Sequence, residues 1–195
     1  MKIVEKVLII LAIVGYVLKL LLIPGGSMLF YYCSIILWWL YFLLGFAFFN
    51  GIRLKALFKN ESYKGIPMLH ILGSVFTGLA LSVGVLGILF KLMTWPGAGI
   101  NLFVGMIVCL AIIIILSIRR KDKYKLYYNR MLTRLVTITI LCAVLYVLPS
   151  IKIIRVIYRN EPAYLEACER AAKDPRNEQL QQQKEQARQE LIHRK

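Results

Sequence analysis

The chain has 195 residues, 59% of them hydrophobic and 18% charged, with 25 Lys and Arg against 10 Asp and Glu. Soluble domains are nearer 45–50% apolar with about 25% charge, so this composition excludes an ordinary water-soluble core. It points instead to helices of about 20 residues that cross a bilayer, and five of those leave no length for a large catalytic domain. The formal charge of +15 is then first a topology signal, and no nucleic-acid partner is expected.

The first apolar stretch runs from Val7 to Ile23 and is broken only by Lys19. Lys2 and Lys6 before it and the small residues Gly25 to Ser27 after it outline a signal peptide, but a lysine inside the run argues for a retained helix. The second, Met28 to Phe49, is uncharged and rich in aromatic residues. Its Trp38 and Trp39 fall near the midpoint rather than at an interfacial belt, which makes them candidates for packing or an interface. The third, Pro67 to Trp95, carries His70 and Lys91 together with Gly73, Gly78, Gly84 and Gly87. Small residues let membrane helices approach closely, so Gly84 and Gly87 are packing candidates and this helix is expected at the centre. The fourth, Ile100 to Ile118, and the fifth, Leu135 to Ile151, are uncharged. With no water in the bilayer core to satisfy the backbone, the fold class is all-α, a polytopic membrane protein of about five spanning helices.

Between these stretches the basic residues alternate. Arg53, Lys55, Lys59 and Lys64 lie between the second and third, and Arg119, Arg120, Lys121, Lys123, Lys125, Arg130 and Arg134 between the fourth and fifth, whereas the Pro24 and Pro96 turns carry no charge. The basic connections are expected in the cytoplasm, with the N-terminus inside and a periplasmic tail in a multi-pass bacterial inner-membrane protein. Lys152, Arg155 and Arg159 on that outer side leave two alternatives, re-entry of the fifth segment or an end lying along the interface. The division by residue is a first hairpin over 1–50, a basic loop over 51–66, a second hairpin over 67–118, a basic loop over 119–134, a fifth helix over 135–158 and a polar helical tail over 159–195. The tail is nearly neutral, with eight Lys and Arg against seven Asp and Glu, so +14 of the charge belongs to residues 1–158. In it Tyr164, Leu165, Cys168, Ala171 and Ala172 share a helical face, and Asp174-Pro175 separates a second, Gln-rich helix.

Shifting the chain by 72 residues superposes Gly15 on Gly87, Lys19 on Lys91, Leu20 on Leu92, Pro24 on Pro96 and Gly25 on Gly97. Lys and Pro are the residues that apolar spans exclude, so the shared pattern marks the second hairpin as a repeat of the first, in parallel sense. Pro24-Gly25 and Pro96-Gly97 are the helix-ending turns. Five residues before each proline, roughly 7 Å along the axis, Lys19 and Lys91 can snorkel to the headgroups and neutralise a helix C-terminus. The functional alternative places both lysines along an anion or proton path.

Catalysis finds no foothold. Outside the tail the acids are Glu5, Glu61 and Asp122, none within an apolar stretch, which removes the most economical mechanism of ion-coupled transport. His70 and His193 and the cysteines Cys33, Cys109, Cys142 and Cys168 have no metal-ligand spacing, and the serines have no neighbouring base, so neither metal, cofactor nor catalytic residue is expected. His70 reads as a packing or interfacial residue and three of the cysteines as packing residues; Cys168, if external, is open to oxidation with another chain.

The segment Gly87-Ile-Leu-Phe-Lys-Leu-Met-Thr-Trp-Pro-Gly-Ala-Gly99 resembles the Gly-x-Leu-Phe-Lys helix of the membrane hairpin of GldL, the inner-membrane motor subunit of Bacteroidota gliding and type IX secretion. It is also similar to uncharacterised Bacteroidota membrane proteins with a Phe-Lys-x-x-x-Trp-Pro-Gly-Ala motif. The resemblance spans about 30 residues around Lys91, repeated more weakly around Lys19, and implies that these lysines match the family's membrane lysine. GldL's hairpin has a glutamate in its second helix, where Met28–Phe49 and Ile100–Ile118 have none, and a large cytoplasmic region follows it. The expected function is therefore a non-enzymatic membrane component that associates with itself or with an unidentified membrane partner, in contact with the bilayer and its anionic headgroups. The alternative is a small channel or transporter using Lys19 and Lys91.

Overall fold

The computed structural model describes residues 2–50, 67–119, 125–174 and 176–193. Among them are eight helices and no strand: α1 (Lys2–Leu20), α2 (Gly26–Asn50), α3 (Met68–Leu92), α4 (Ala98–Ile118), α5 (Lys125–Val147), α6 (Ser150–Ile157), α7 (Pro162–Lys173) and α8 (Glu178–His193). The chain divides into two compact units, residues 1–147 and 148–195. The all-α, multi-pass membrane fold is as expected: α2, α3, α4 and α5 are long and apolar enough to cross a bilayer. The further expected crossing, α1, has 19 residues and carries Lys2, Glu5, Lys6 and Lys19.

In the first unit each helix packs on the next in the chain, and α3 also packs on α5. That places α3 at the centre, with 56% of its apolar span buried against 22% to 39% in α2, α4 and α5. Glycine allows this. A Cβ built on Gly78 would stand 2.5 Å from the Tyr41 carbonyl oxygen, and one on Gly105 would stand 3.0 Å from Gly84 Cα. Alanine at these positions would force the backbones apart, so Gly78 sets the α2–α3 approach and the Gly84–Gly105 pair the α3–α4 approach. The buried hydroxyls of α3 are satisfied within the helix: Ser74 donates to His70 O (2.8 Å), Thr77 to Gly73 O (2.7 Å) and Ser82 to Leu79 O (2.7 Å).

α5 begins ten residues before the uncharged stretch Leu135–Ile151 and takes in Arg130 and Arg134. Tyr128, Met131 and Leu135 recur at helical spacing and are buried, so one apolar stripe continues through the basic segment. It stops at Val147 because Pro149 has no amide hydrogen to donate and disfavours helical backbone at Leu148. Of the basic connections, 51–66 and 120–124 lie outside the described residues, while Arg119 is exposed beyond the end of α4.

The second unit consists of α6, α7 and α8, packed in that order. Pro149 precedes α6, where Lys152 and Arg155 are exposed and Ile153 and Ile157 buried. Arg155 holds Glu169 of α7 at 2.6 Å. Tyr164, Cys168 and Ala171 form the buried face of α7, Leu165 is half-buried and Ala172 exposed. The cap of α8 is Asn177, whose Oδ1 accepts from Gln179 N (3.1 Å) and Leu180 N (3.3 Å). Cys168 is only 3% exposed and its thiol pKa is raised by burial, so the oxidation expected of an accessible cysteine has no accessible sulfur.

Candidate functional site

The first unit has two ends, one carrying the α1–α2 and α3–α4 turns, the other the starts of α3 and α5 and the ends of α2 and α4. At the turn end the two helix termini have the same backbone. Leu22 N bonds Lys19 O at 3.1 Å and Ile23 N bonds Leu18 O at 3.0 Å; 72 residues on, Thr94 N bonds Lys91 O at 3.1 Å and Trp95 N bonds Phe90 O at 2.9 Å. These paired bonds are the Schellman closure of a helix. The left-handed position that closure needs falls on Leu22 (φ 61°) and Thr94 (φ 59°), and both close without glycine. Phe90 and Trp95 complete the closure with an edge-to-face contact at 5.1 Å. The helices thus end ahead of Pro24 and Pro96. Gly25 (φ 86°) and Gly97 (φ 77°) instead open the next helices, with their carbonyls accepting from Leu29 N and Asn101 N.

Lys19 and Lys91 are buried, 8% and 5% exposed. The Lys19 ammonium donates to Leu92 O at 2.8 Å and lies 3.3 Å from Met93 Sδ. It therefore neutralises a helix C-terminus, but that of α3 rather than its own, joining the first hairpin to the second. Spacing along one helix could not reveal this.

Further inside the unit lies an arrangement that the sequence concealed. Glu5 is 3% exposed; Arg134 of α5 donates to it through Nε (2.6 Å to Oε1) and Nη2 (2.7 Å to Oε2), and Tyr41 of α2 through its hydroxyl (2.6 Å to Oε1). The Arg134 Nη1 donates to Arg130 O at 2.9 Å, and the guanidinium stands over the Phe49 ring, 5.8 Å from its centre. The bidentate fork satisfies both carboxylate oxygens in an apolar setting. Nine residues separate Tyr41 from the end of α2 and Arg134 from the start of α5, about 13 Å of helix. Glu5 is thus buried level with Tyr41 and Arg134, although it precedes the apolar run of its own helix. No apolar stretch holds a carboxylate, yet this one, three residues into α1, is enclosed by α2 and α5.

Near the start of α3, His70 stacks on Tyr127 at 4.6 Å and meets Tyr128 edge-on at 5.9 Å. The Tyr127 hydroxyl lies 2.6 Å from His70 O and 2.8 Å from Ser74 Oγ, which also accepts from Asn50 Nδ2 at 2.9 Å. His70 is thus a packing residue that ties α3 to α5. Trp38 is half-buried and stacked on Phe42 at 5.4 Å, with Trp39 edge-on at 5.2 Å and 47% exposed. A Cβ on Gly87 would meet the Asn101–Leu102 backbone at 3.0 Å, and one on Gly84 would overlap Ile138. No group of three metal-ligating side chains occurs among the described residues. Lys19 thus reaches the end of α3 beside Lys91, while Trp38 and Trp39 pack along α2. The group that joins three helices through charge, Glu5, Tyr41 and Arg134, has no sequence signal beyond one acid ahead of an apolar run and one arginine inside an extended apolar stripe.

Residues 76–137 match the sequence model of the GldL N-terminal domain family, about a third of the chain, from the third turn of α3 into α5. With four apolar helices this is a GldL-like, multi-pass membrane protein. The matched part contains Lys91, the Pro96-Gly97 turn and Arg134. No curated protein and no solved structure matches the chain.

Proposed function

We propose that this protein is a non-enzymatic, self-associating or partner-binding subunit of an inner-membrane assembly of the gliding and secretion type. The match to the GldL N-terminal domain across α3, α4 and α5 carries this reading. In it, α1 crosses with α2–α5, the N-terminus and basic connections face the cytoplasm, and the tail lies in the periplasm. The matching closures at Leu22 and Thr94 support a hairpin used twice, and the exposed row Tyr32, Ile36, Trp39 and Leu43 on α2 is the surface assigned to association. These recur at three- and four-residue steps on one face, as helix-packing seams do.

Purification in mild detergent from its native membrane, with native mass spectrometry of the complex, tests this. A defined homo-oligomer or a stoichiometric membrane partner is expected, with Trp39→Ala lowering the associated fraction. A strict monomer without a partner overturns the reading. The transport alternative predicts altered ion flux in liposomes for Lys91→Gln, whereas a subunit without a path through Lys91 predicts no change. The bond from Lys19 to Leu92 O favours the capping role.

A further inference from the structure

A cleft of about 380 Å³ opens between α3, α4 and α5 at the end opposite the turns, lined by Leu72, Phe76, Ile112, Ile115, Arg119 and Tyr127 among others. Its wall is apolar except at one end. The Tyr127 hydroxyl is engaged by Ser74 and the His70 carbonyl, and among the described lining residues Arg119 is the charged one. Arg119 is exposed, and among the described residues it enters no ion pair. Leu72, Phe76 and Ile115 are 43%, 54% and 50% exposed, so the cleft opens sideways along the helices. In a spanning bundle that direction faces lipid.

Shape and charge together describe the occupant. From Ile112 to Arg119 the lining follows α4 for seven residues, about 10 Å. The cleft of about 380 Å³ is a groove open along one side, and a single polymethylene chain fits along its apolar wall. A cation at the rim of a mostly apolar groove, Arg119 among the described residues, matches a molecule with an anionic head and an apolar tail.

We infer that the α3–α4–α5 cleft is a binding site for an anionic glycerophospholipid, with one acyl chain between Phe76 and Ile115 and the phosphate on Arg119. Leu116 and Tyr128 floor the slot and are buried, so the chain lies in a groove rather than on a flat lipid-facing surface. The inference requires membrane embedding but not self-association, so failure of the oligomer experiment leaves it standing.

The test uses full-length protein in mild detergent with phosphatidylglycerol or phosphatidylcholine of identical chains, read by native mass spectrometry. It is paired with vesicles containing a diazirine-tailed phosphatidylglycerol, whose cross-links are mapped by peptide. Phosphatidylglycerol is expected to be retained about fivefold over phosphatidylcholine, the weight of one basic residue on an anionic headgroup. Arg119→Gln lowers it to the phosphatidylcholine level, and the phosphatidylcholine retained by that variant reports intact folding. Gly73→Phe, which projects a ring toward Tyr127, lowers both, and cross-links fall on Phe76, Ile112 or Ile115. Equal retention of the two lipids by the unmodified protein, selectivity that survives Arg119→Gln, or cross-links away from this lining overturns the inference. So does protein-to-protein cross-linking from a photoreactive residue at Phe76.

Discussion

Replacing Glu5 by Gln removes one charge from a pair whose side chains are 5% (Glu5) and 23% (Arg134) exposed. The Gln amide oxygen can still accept from Tyr41, so the loss falls on Arg134, which keeps the Arg130 carbonyl at 2.9 Å but loses its charged partner. Removing one partner of a buried pair costs about 3–5 kcal/mol, and the partial exposure of Arg134 places the expected value near the lower end. About 3 kcal/mol corresponds to more than a hundredfold in the folding equilibrium. Arg134→Met leaves Glu5 with Tyr41 but without its charged partner and costs a similar amount. The double variant has neither charge left to strand, so its loss is expected to fall short of the sum of the single losses by roughly 1.5–3 kcal/mol. Unfolding in mixed micelles, followed by the helical circular dichroism signal against denaturing detergent, measures all four proteins of the cycle. A Glu5→Gln effect below about 0.5 kcal/mol, or losses that add within that margin, would refute the assignment of this pair as the tie between α1 and α5.

Four further outcomes can be measured. Gly78→Ala places a methyl against the Tyr41 backbone and costs about 1–3 kcal/mol in the same unfolding assay, while Gly99→Ala, with open space around it, changes stability by less than about 0.5 kcal/mol. Thr94→Gly relieves a β-branched residue from φ 59°, where L-residues lose about 1–2 kcal/mol, partly offset by glycine's unfolded-state entropy; a melting temperature about 1–3 °C higher is expected, and a decrease refutes the strained closure. Cys168, buried and with its thiol pKa raised, should label slowly at neutral pH and faster as pH rises above the ordinary thiol range. Glu166→Cys, at a side chain 65% exposed, should label readily with an impermeant reagent from the periplasmic side, and protection there with reaction after lysis overturns the proposed location of the tail.

The membrane class, the helical content and the central place of the third helix were legible because each rests on local chemistry. Apolar runs of spanning length must be helical, and glycines grouped on one of them allow neighbours on several sides. The Lys-Leu-x-x-x-Pro-Gly pattern likewise marked both helix termini, since lysine and proline stand out against an apolar background. The exchange at those termini was not legible. Proline after a helix reads as its terminator, yet Leu22 and Thr94 close the helices first, because the Schellman bonds to Leu18, Lys19, Phe90 and Lys91 need a left-handed residue one turn on, whatever its type. The start of α5 escaped for a similar reason. A search for uncharged windows rejects Lys125–Arg134, although Tyr128 and Met131 continue the buried stripe.

By itself, then, the sequence determined what each segment is: which runs are helical and where lysines interrupt them. Tertiary structure decided what the charged residues do, because a charge in an apolar layer is governed by partners from other helices. Glu5 looks like a solvated residue ahead of a span until Tyr41 and Arg134 close on it from 36 and 129 positions away. Lys19 looks like the cap of its own helix until Leu92 O, 73 positions on, takes its ammonium. Hydropathy and spacing act over a few turns of one helix, whereas the level at which α1 lies against α2 and α5 is set by how the helices pack. That register brings the Glu5 carboxylate to Tyr41 and Arg134.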